Sequence, residues 1–282
     1  MRIASLLFAL PVWLPAAESS LLETVRKAGD LYRQGKHEDA DKVASEAIAM
    51  LESRRDPPDF DGASSWNSLG TFVYAQGDLN RAGRMFARSR NAYLSLAGPS
   101  DPRLATVLYN LAGVHVETGH YFEAEPLYHD ALAIREKALG PAHPLLAEVW
   151  NALGFVMIQQ KRYKEALPWL EKAANLWEAS AGSAAFAAVA LNNLAFLHRL
   201  EGSFDKAEAL YNRALATEEK HFGQEHPEVA TSLLNLAALY RAKGQGEKAK
   251  ETYRRALVLI EKTLSPQDPL AVETRALLGQ LK

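Results

Sequence analysis

The stretch "NLAALYRAKGQGEKAKETYRRAL", Asn235–Leu257, is written three times in this chain with small variations. "NLAFLHRLEGSFDKAEALYNRAL" runs over Asn193–Leu215 and "NLAGVHVETGHYFEAEPLYHDAL" over Asn110–Leu132. Aligned on the alanine that follows their leucine, the copies mark Ala112, Ala195 and Ala237. The same phase continues outward through small residues at Ala28, Gly70, Gly154 and Gly279. Successive steps from 28 to 279 are 42, 42, 42, 41, 42 and 42 residues.

Other positions keep that phase. Twelve residues after each anchor stands Ala40, Ala82, Ala124, Ala166, Ala207 or Ala249, and seven further on Ala47, Ser89, Ala131, Ala173, Ala214 or Ala256. Between them lies a large residue, Phe86, Tyr128, Leu170, Tyr211 or Tyr253, with Ala44 in the first copy. Leucine, a small residue and another apolar residue three later define one face of a helix with a period of about 3.6 residues. Positions that stay small predict close helix crossings. Seven residues after the anchor comes Gly35, Gly77, Gly119, Gly202 or Gly244, with Lys161 as the departure. Glycine there predicts a helix end in the left-handed conformation. Each copy is therefore a helix–turn–helix hairpin with one face left uncovered, and stacking on a neighbour is what buries it.

Unit starts are punctuated. Asp59, Asp101, His143, His226 and Asp268 each lie eleven residues before an anchor, and Pro102, Pro144, Pro227 and Pro269 follow four of them. A capping side chain followed by proline in the first turn predicts a helix start. The unit opening with "AGSAAFAAVA" lacks this mark, and Ser20 with Glu23 offers a capping box before the first unit.

Bulk numbers exclude several classes. A chain 48% hydrophobic and 23% charged is globular in composition, not disordered. Its net charge of −2 gives no footprint for nucleic acid or an anionic membrane surface. The absence of cysteine excludes disulfides, thiolate catalysis and cysteine-ligated zinc. "MRIASLLFALPVWLPAA" at 1–17 has a basic Arg2, a short apolar run and small Ala16 and Ala17, the layout of an export signal. A buried N-terminal helix is the alternative. The run falls short of the about 20 apolar residues that a membrane helix needs.

At Trp66 the repeats acquire a signature: "WNSLGTFV" followed by Ala82-x3-Phe86, and again "WNALGFVM" from Trp150 followed by Ala166-x3-Leu170. Tryptophan, Leu-Gly and Ala-x3-aromatic in this spacing resemble the tetratricopeptide repeat. The 42-residue length and "HPEVATSLLNLAALY" look like the kinesin light chain subtype. The resemblance covers 18–282 and implies an all-α fold: a right-handed α-solenoid of six repeats, about 18–58, 59–100, 101–142, 143–183, 184–225 and 226–267, plus a capping helix at 268–282. It also implies a non-catalytic scaffold that holds an extended peptide of a partner protein in a concave groove lined by the first helices. In kinesin light chains an asparagine before the conserved leucine faces that groove and clamps ligand backbone, which carries over to Asn110, Asn193 and Asn235. The unit at 143–183 departs, with Asn151 one residue earlier and Ala152 in the slot. The unit at 59–100 pairs Asn67 with Ser68. An export signal also departs from kinesin light chains, so motor transport does not carry over.

Helical geometry supplies a separate set of groove candidates. Residues three and six before each anchor, and one and about four after it, point away from the paired helix. They include Ser64, Asn67, Thr71 and Tyr74; Thr106, Tyr109 and Glu117; Glu148, Asn151, Phe155 and Gln159; Asn192, Phe196 and Arg199; and Thr231 and Arg241. Amides donate and accept together, and aromatic rings give rigid contact area. The asparagines have a second reading, as bonds between adjacent repeats. Glu117 and Glu148 against Arg199 and Arg241 predict a ligand with its acidic portion on the C-terminal repeats. The histidines form no metal-ligand pattern, no phosphate loop or hydrolase motif is present, and no cofactor is expected. A self-assembling structural protein is the competing reading, and a hydrolase a remote one.

Overall fold

The computed structural model describes residues 20–54, 58–180, 182–262 and 264–281. The export-signal segment and Ala181 lie outside them. The described residues form thirteen helices in two compact units that divide between Ala138 and Leu139.

The first unit holds α1 (Ser20–Arg33), α2 (His37–Ser53), α3 (Phe60–Ala75), α4 (Leu79–Ala97), α5 (Pro102–Glu117) and α6 (Tyr121–Leu139), whose last residue crosses the division. The second holds α7 (Pro144–Gln159), α8 (Tyr163–Ala179), α9 (Ala184–Leu200), α10 (Phe204–Phe222), α11 (Val229–Ala242), α12 (Gly246–Glu261) and α13 (Pro269–Gln280). Odd-numbered helices are the first helices of the repeats. Within each unit first helices pack on their own second helices, as α1 on α2, α3 on α4, α7 on α8, α9 on α10 and α11 on α12, and successive hairpins stack, as α4 does on α5 and α10 on α11.

The small positions are where the helices cross. Ala40, Ala82, Ala124, Ala166, Ala207 and Ala249 are fully buried, and so are Ala47, Ser89, Ala131, Ala173, Ala214 and Ala256. At two of the three glycine anchors nothing larger fits. A methyl on Gly154 would lie 2.5 Å from Leu170 Cγ, and one on Gly70 2.7 Å from Phe86 Cε1. Ser89 satisfies its hydroxyl by donating to the Ala63 carbonyl at 2.7 Å.

Caps follow the punctuation. Asp59 accepts from the Gly62 N–H, Asp101 from Arg103, His143 Nδ1 from Leu145 and Asp268 from Leu270. The His226–Pro227 start differs, because α11 begins only at Val229. There the chain makes tight i→i+3 bonds, Val229 N–H to His226 and Ala230 N–H to Pro227, while the His226 ring stacks on Phe222. Ser20 is already helical, so the cap of α1 lies outside the described residues. At the helix ends, Gly77 N–H bonds the Tyr74 carbonyl and Asp78 N–H that of Val73, the paired bonds of a left-handed stop. Lys161, with φ of 62°, stands in the same stop: its N–H bonds the Ile158 carbonyl and the Arg162 N–H that of Met157.

Candidate binding face

Helical phase turns one side of every first helix away from its second helix. In the first unit this face is built by α3 and α5. Asn67 and Tyr74, Tyr109, Asn110 and Glu117 are all half-buried on it. Asn110 Nδ2 donates to Asn67 Oδ1 at 3.0 Å, tying α5 to α3. In the second unit the face is built by α7, α9 and α11, and Glu148, Asn151, Phe155, Asn193, Phe196, Arg199 and Asn235 are half-buried there, with Arg241 exposed. Asn193 Nδ2 donates to Asn151 Oδ1 at 2.9 Å, the same tie one repeat apart. The asparagines that break the motif's register, Asn67 and Asn151, are thus the acceptors of those that keep it. Each pair uses one donor and one acceptor, and an amide group has two of each.

Asn192 differs from its neighbours. It is 8% exposed and donates inward to Ser232 Oγ at 2.7 Å, so the structure turns it into the α9–α11 packing and away from the open face. Its repeat opens on small residues, "AGSAAFAAVA", and α9 packs closely enough there to enclose the amide.

Beneath both faces lies a layer of tyrosines from the second helices. In the first unit Tyr128 is buried against Tyr109, ring centroids 5.3 Å apart, and the Arg135 guanidinium sits 5.0 Å from the Tyr109 centroid. Burial pushes the Tyr74 hydroxyl well above its ordinary pKa, and the charge of Glu117 with its hydrogen bond adds to the rise. In the second unit the charge beside the buried tyrosines is positive. Burial raises Tyr211 to about 12, and the Arg199 guanidinium pulls against that rise. Tyr253 is raised by burial, opposed by Arg241 and then Arg199. Arg199 also lies 5.0 Å over the Phe196 ring.

Several charges elsewhere on the repeats are paired. Arg88 meets Glu52, Arg213 meets Glu178 and Arg255 meets Glu219, each reaching the second helix of the preceding repeat. Lys243 meets Asp205 and Glu208. Arg199 and Arg241 have no carboxylate partner among the described residues.

A profile of the tetratricopeptide repeat matches residues 61–121, 104–179, 186–257 and 228–282, more than half of the chain. The chain belongs to the tetratricopeptide-repeat family. Its fold is an all-α solenoid of such repeats. Among solved structures, this tetratricopeptide protein resembles BtubC (BKLC) from P. vanneervenii, at 20% identity and a TM-score of 0.58, covering 94% of each chain. A kinesin light chain-type protein of Podosopora anserina with nearly identical TPR-like repeats matches at 18% identity and a TM-score of 0.59, over 72% of this chain and 96% of that one. A Rap protein solved with competence and sporulation factor matches at 14% identity and a TM-score of 0.64, over 94% and 88%. No curated protein sequence matches the chain.

Sequence reasoning did not single out Tyr211, Tyr253 and Arg135 as supports of the face. A signal existed: the large residue of Ala-x3-large lies under the residue about four after the anchor of its own repeat. Histidines stay apart from any such role. Burial lowers His115, and among the described residues no group of three His, Asp or Glu could hold a metal ion. No helix among them is long and apolar enough to cross a membrane.

Proposed function

We propose that this tetratricopeptide scaffold is a non-catalytic adaptor that holds an extended segment of a partner protein along its first-helix faces. The observation that carries this reading is that Arg199 and Arg241 both stand on the face of the second unit with no carboxylate partner among the described residues. Ligand carboxylates satisfy guanidiniums through charge-assisted bonds, which are stronger than neutral ones. Asn151 and Asn193 keep hydrogen-bonding capacity for a ligand backbone beside them. In the first unit Glu117 gives that unit's own face the opposite preference. A Rap protein of the same fold was solved bound to competence and sporulation factor.

The test is calorimetric titration of acidic and basic peptides into wild type and the double variant Arg199→Glu, Arg241→Glu. Acidic peptides should bind wild type more tightly as salt is lowered, and the double variant should lose at least about tenfold, roughly 1.4 kcal/mol. Equal binding by both proteins at every salt concentration sinks the reading.

Residues 1–17 further suggest an exported protein. Mass spectrometry of the mature protein should find a start near Ala17 or Glu18, and an intact Met1 on the protein in its working compartment refutes export.

A further inference from the structure

The packing of α9, α10 and α11 encloses three polar side chains that lie under the face and not on it. Asn192 of α9, Glu218 of α10 and Ser232 of α11 are 8%, 6% and 0% exposed. Asn192 Nδ2 donates to Ser232 Oγ at 2.7 Å and lies 3.5 Å from Glu218 Oε1. Asn192 Oδ1 and Glu218 Oε2 are buried with no hydrogen-bond partner. If Glu218 is ionised, both are acceptors that lack a donor, and a buried negative charge goes unmatched. No lysine, arginine or histidine pairs with Glu218 among the described residues.

The other groups facing Glu218 make matters worse for the charge. α9 presents Asn192 and α11 presents Ser232. The charged neighbours are carboxylates, Glu228 ahead of α11 and Glu219 on α10 itself. Glu219 is partly neutralised by Arg255 of α12. A proton removes that charge, and a neutral carboxyl is far less costly to bury than a carboxylate.

We propose that Glu218 is a proton-operated joint of the second unit: as a neutral acid it fits the closed α9–α10–α11 packing, and its ionisation puts an unmatched charge there and loosens that packing. Burial, as the largest effect, moves its pKa up to about 7; the Ser232 hydrogen bond opposes this, and Glu228 and Glu219 add to it. The folded pKa stands above the unfolded one, so the folded state holds the proton more tightly. Its contribution is intact below the ordinary carboxylate range and is lost as pH rises from there to about 7. The joint is independent of what the face binds.

Glu218→Gln removes the charge and puts an amide donor where the proton would be. Melting of the full chain should show the variant close to wild type at about pH 4.5 and progressively above it up to about pH 7, with the gap level beyond. A gap that stays constant with pH overturns the proposal. Infrared spectroscopy of wild type gives a check that does not need the variant to fold. Above about pH 6 the ordinary carboxylates are ionised, so a remaining carboxylic C=O band belongs to a perturbed group. That band should vanish with a midpoint near 7, and Ser232→Ala should move the midpoint upward. A band already absent at about pH 6 overturns the proposal as well.

Discussion

Glu117 in the first unit and Arg199 in the second stand one helical position apart in repeat phase, over the same kind of floor. Each faces a tyrosine buried in the second helix, Tyr128 under one and Tyr211 under the other. The floor is alike down to the small residues beside it, fully buried Ala124 and Ala131 against fully buried Ala207 and Ala214. What stands on it has opposite charge. The difference separates two jobs within one repeat: small and large residues at fixed phase hold the hairpins together, while the residue above the floor is free to vary and sets what the face attracts. Stability should follow the first set and recognition the second.

The largest expected effect tests the shared floor. Ala124→Leu in the first unit and Ala166→Leu in the second each force a larger side chain into a crossing with no accessible surface. Each should cost on the order of 1–3 kcal/mol, toward the upper end because the crossings involve backbone. Equilibrium denaturation of the full chain measures both, and the two variants should lose similar amounts if the floor is common to the units. A large loss in one and none in the other would break the equivalence.

That equivalence was legible in the sequence because close crossings admit only small residues, and a repeated constraint leaves a period. The anchors, the alanines and the glycine stops all sit where the 42-residue phase puts them. The face was legible only in part. Phase indicates which side of a helix points away from its partner, but not whether a neighbouring repeat already claims the side chain. Asn67 and Asn110 bond each other, as do Asn151 and Asn193, across a repeat step that no single-helix argument contains. Asn192 was placed on the face by phase and is enclosed by Glu218 and Ser232, residues 26 and 40 positions away. Such a contact depends on how closely α9 approaches α11, and composition alone does not set that distance.

The smallest expected effect concerns the one stop that differs between the units. Among the described first helices of the first unit, α1, α3 and α5 end on Gly35, Gly77 and Gly119, with φ of 75°, 87° and 78°. In the second unit α9 and α11 end on Gly202 and Gly244, but α7 ends on Lys161 at φ 62°. A residue with a Cβ in the left-handed region meets its own carbonyl, at a cost of roughly 1–2 kcal/mol. The paired stop bonds to Ile158 and Met157 are nevertheless formed at 2.9 and 2.8 Å, so the neighbours enforce the conformation that the residue resists. Lys161→Gly should therefore stabilise the protein, by about 0.5–1 kcal/mol once the greater freedom of glycine in the unfolded chain is subtracted. Gly77→Lys in the first unit should destabilise by a similar or larger amount, and the two variants measured together by thermal melting give the strain with both signs. If Lys161→Gly instead lowers the melting temperature, the lysine side chain contributes something that the left-handed backbone alone does not reveal, and the stops of the two units are not equivalent.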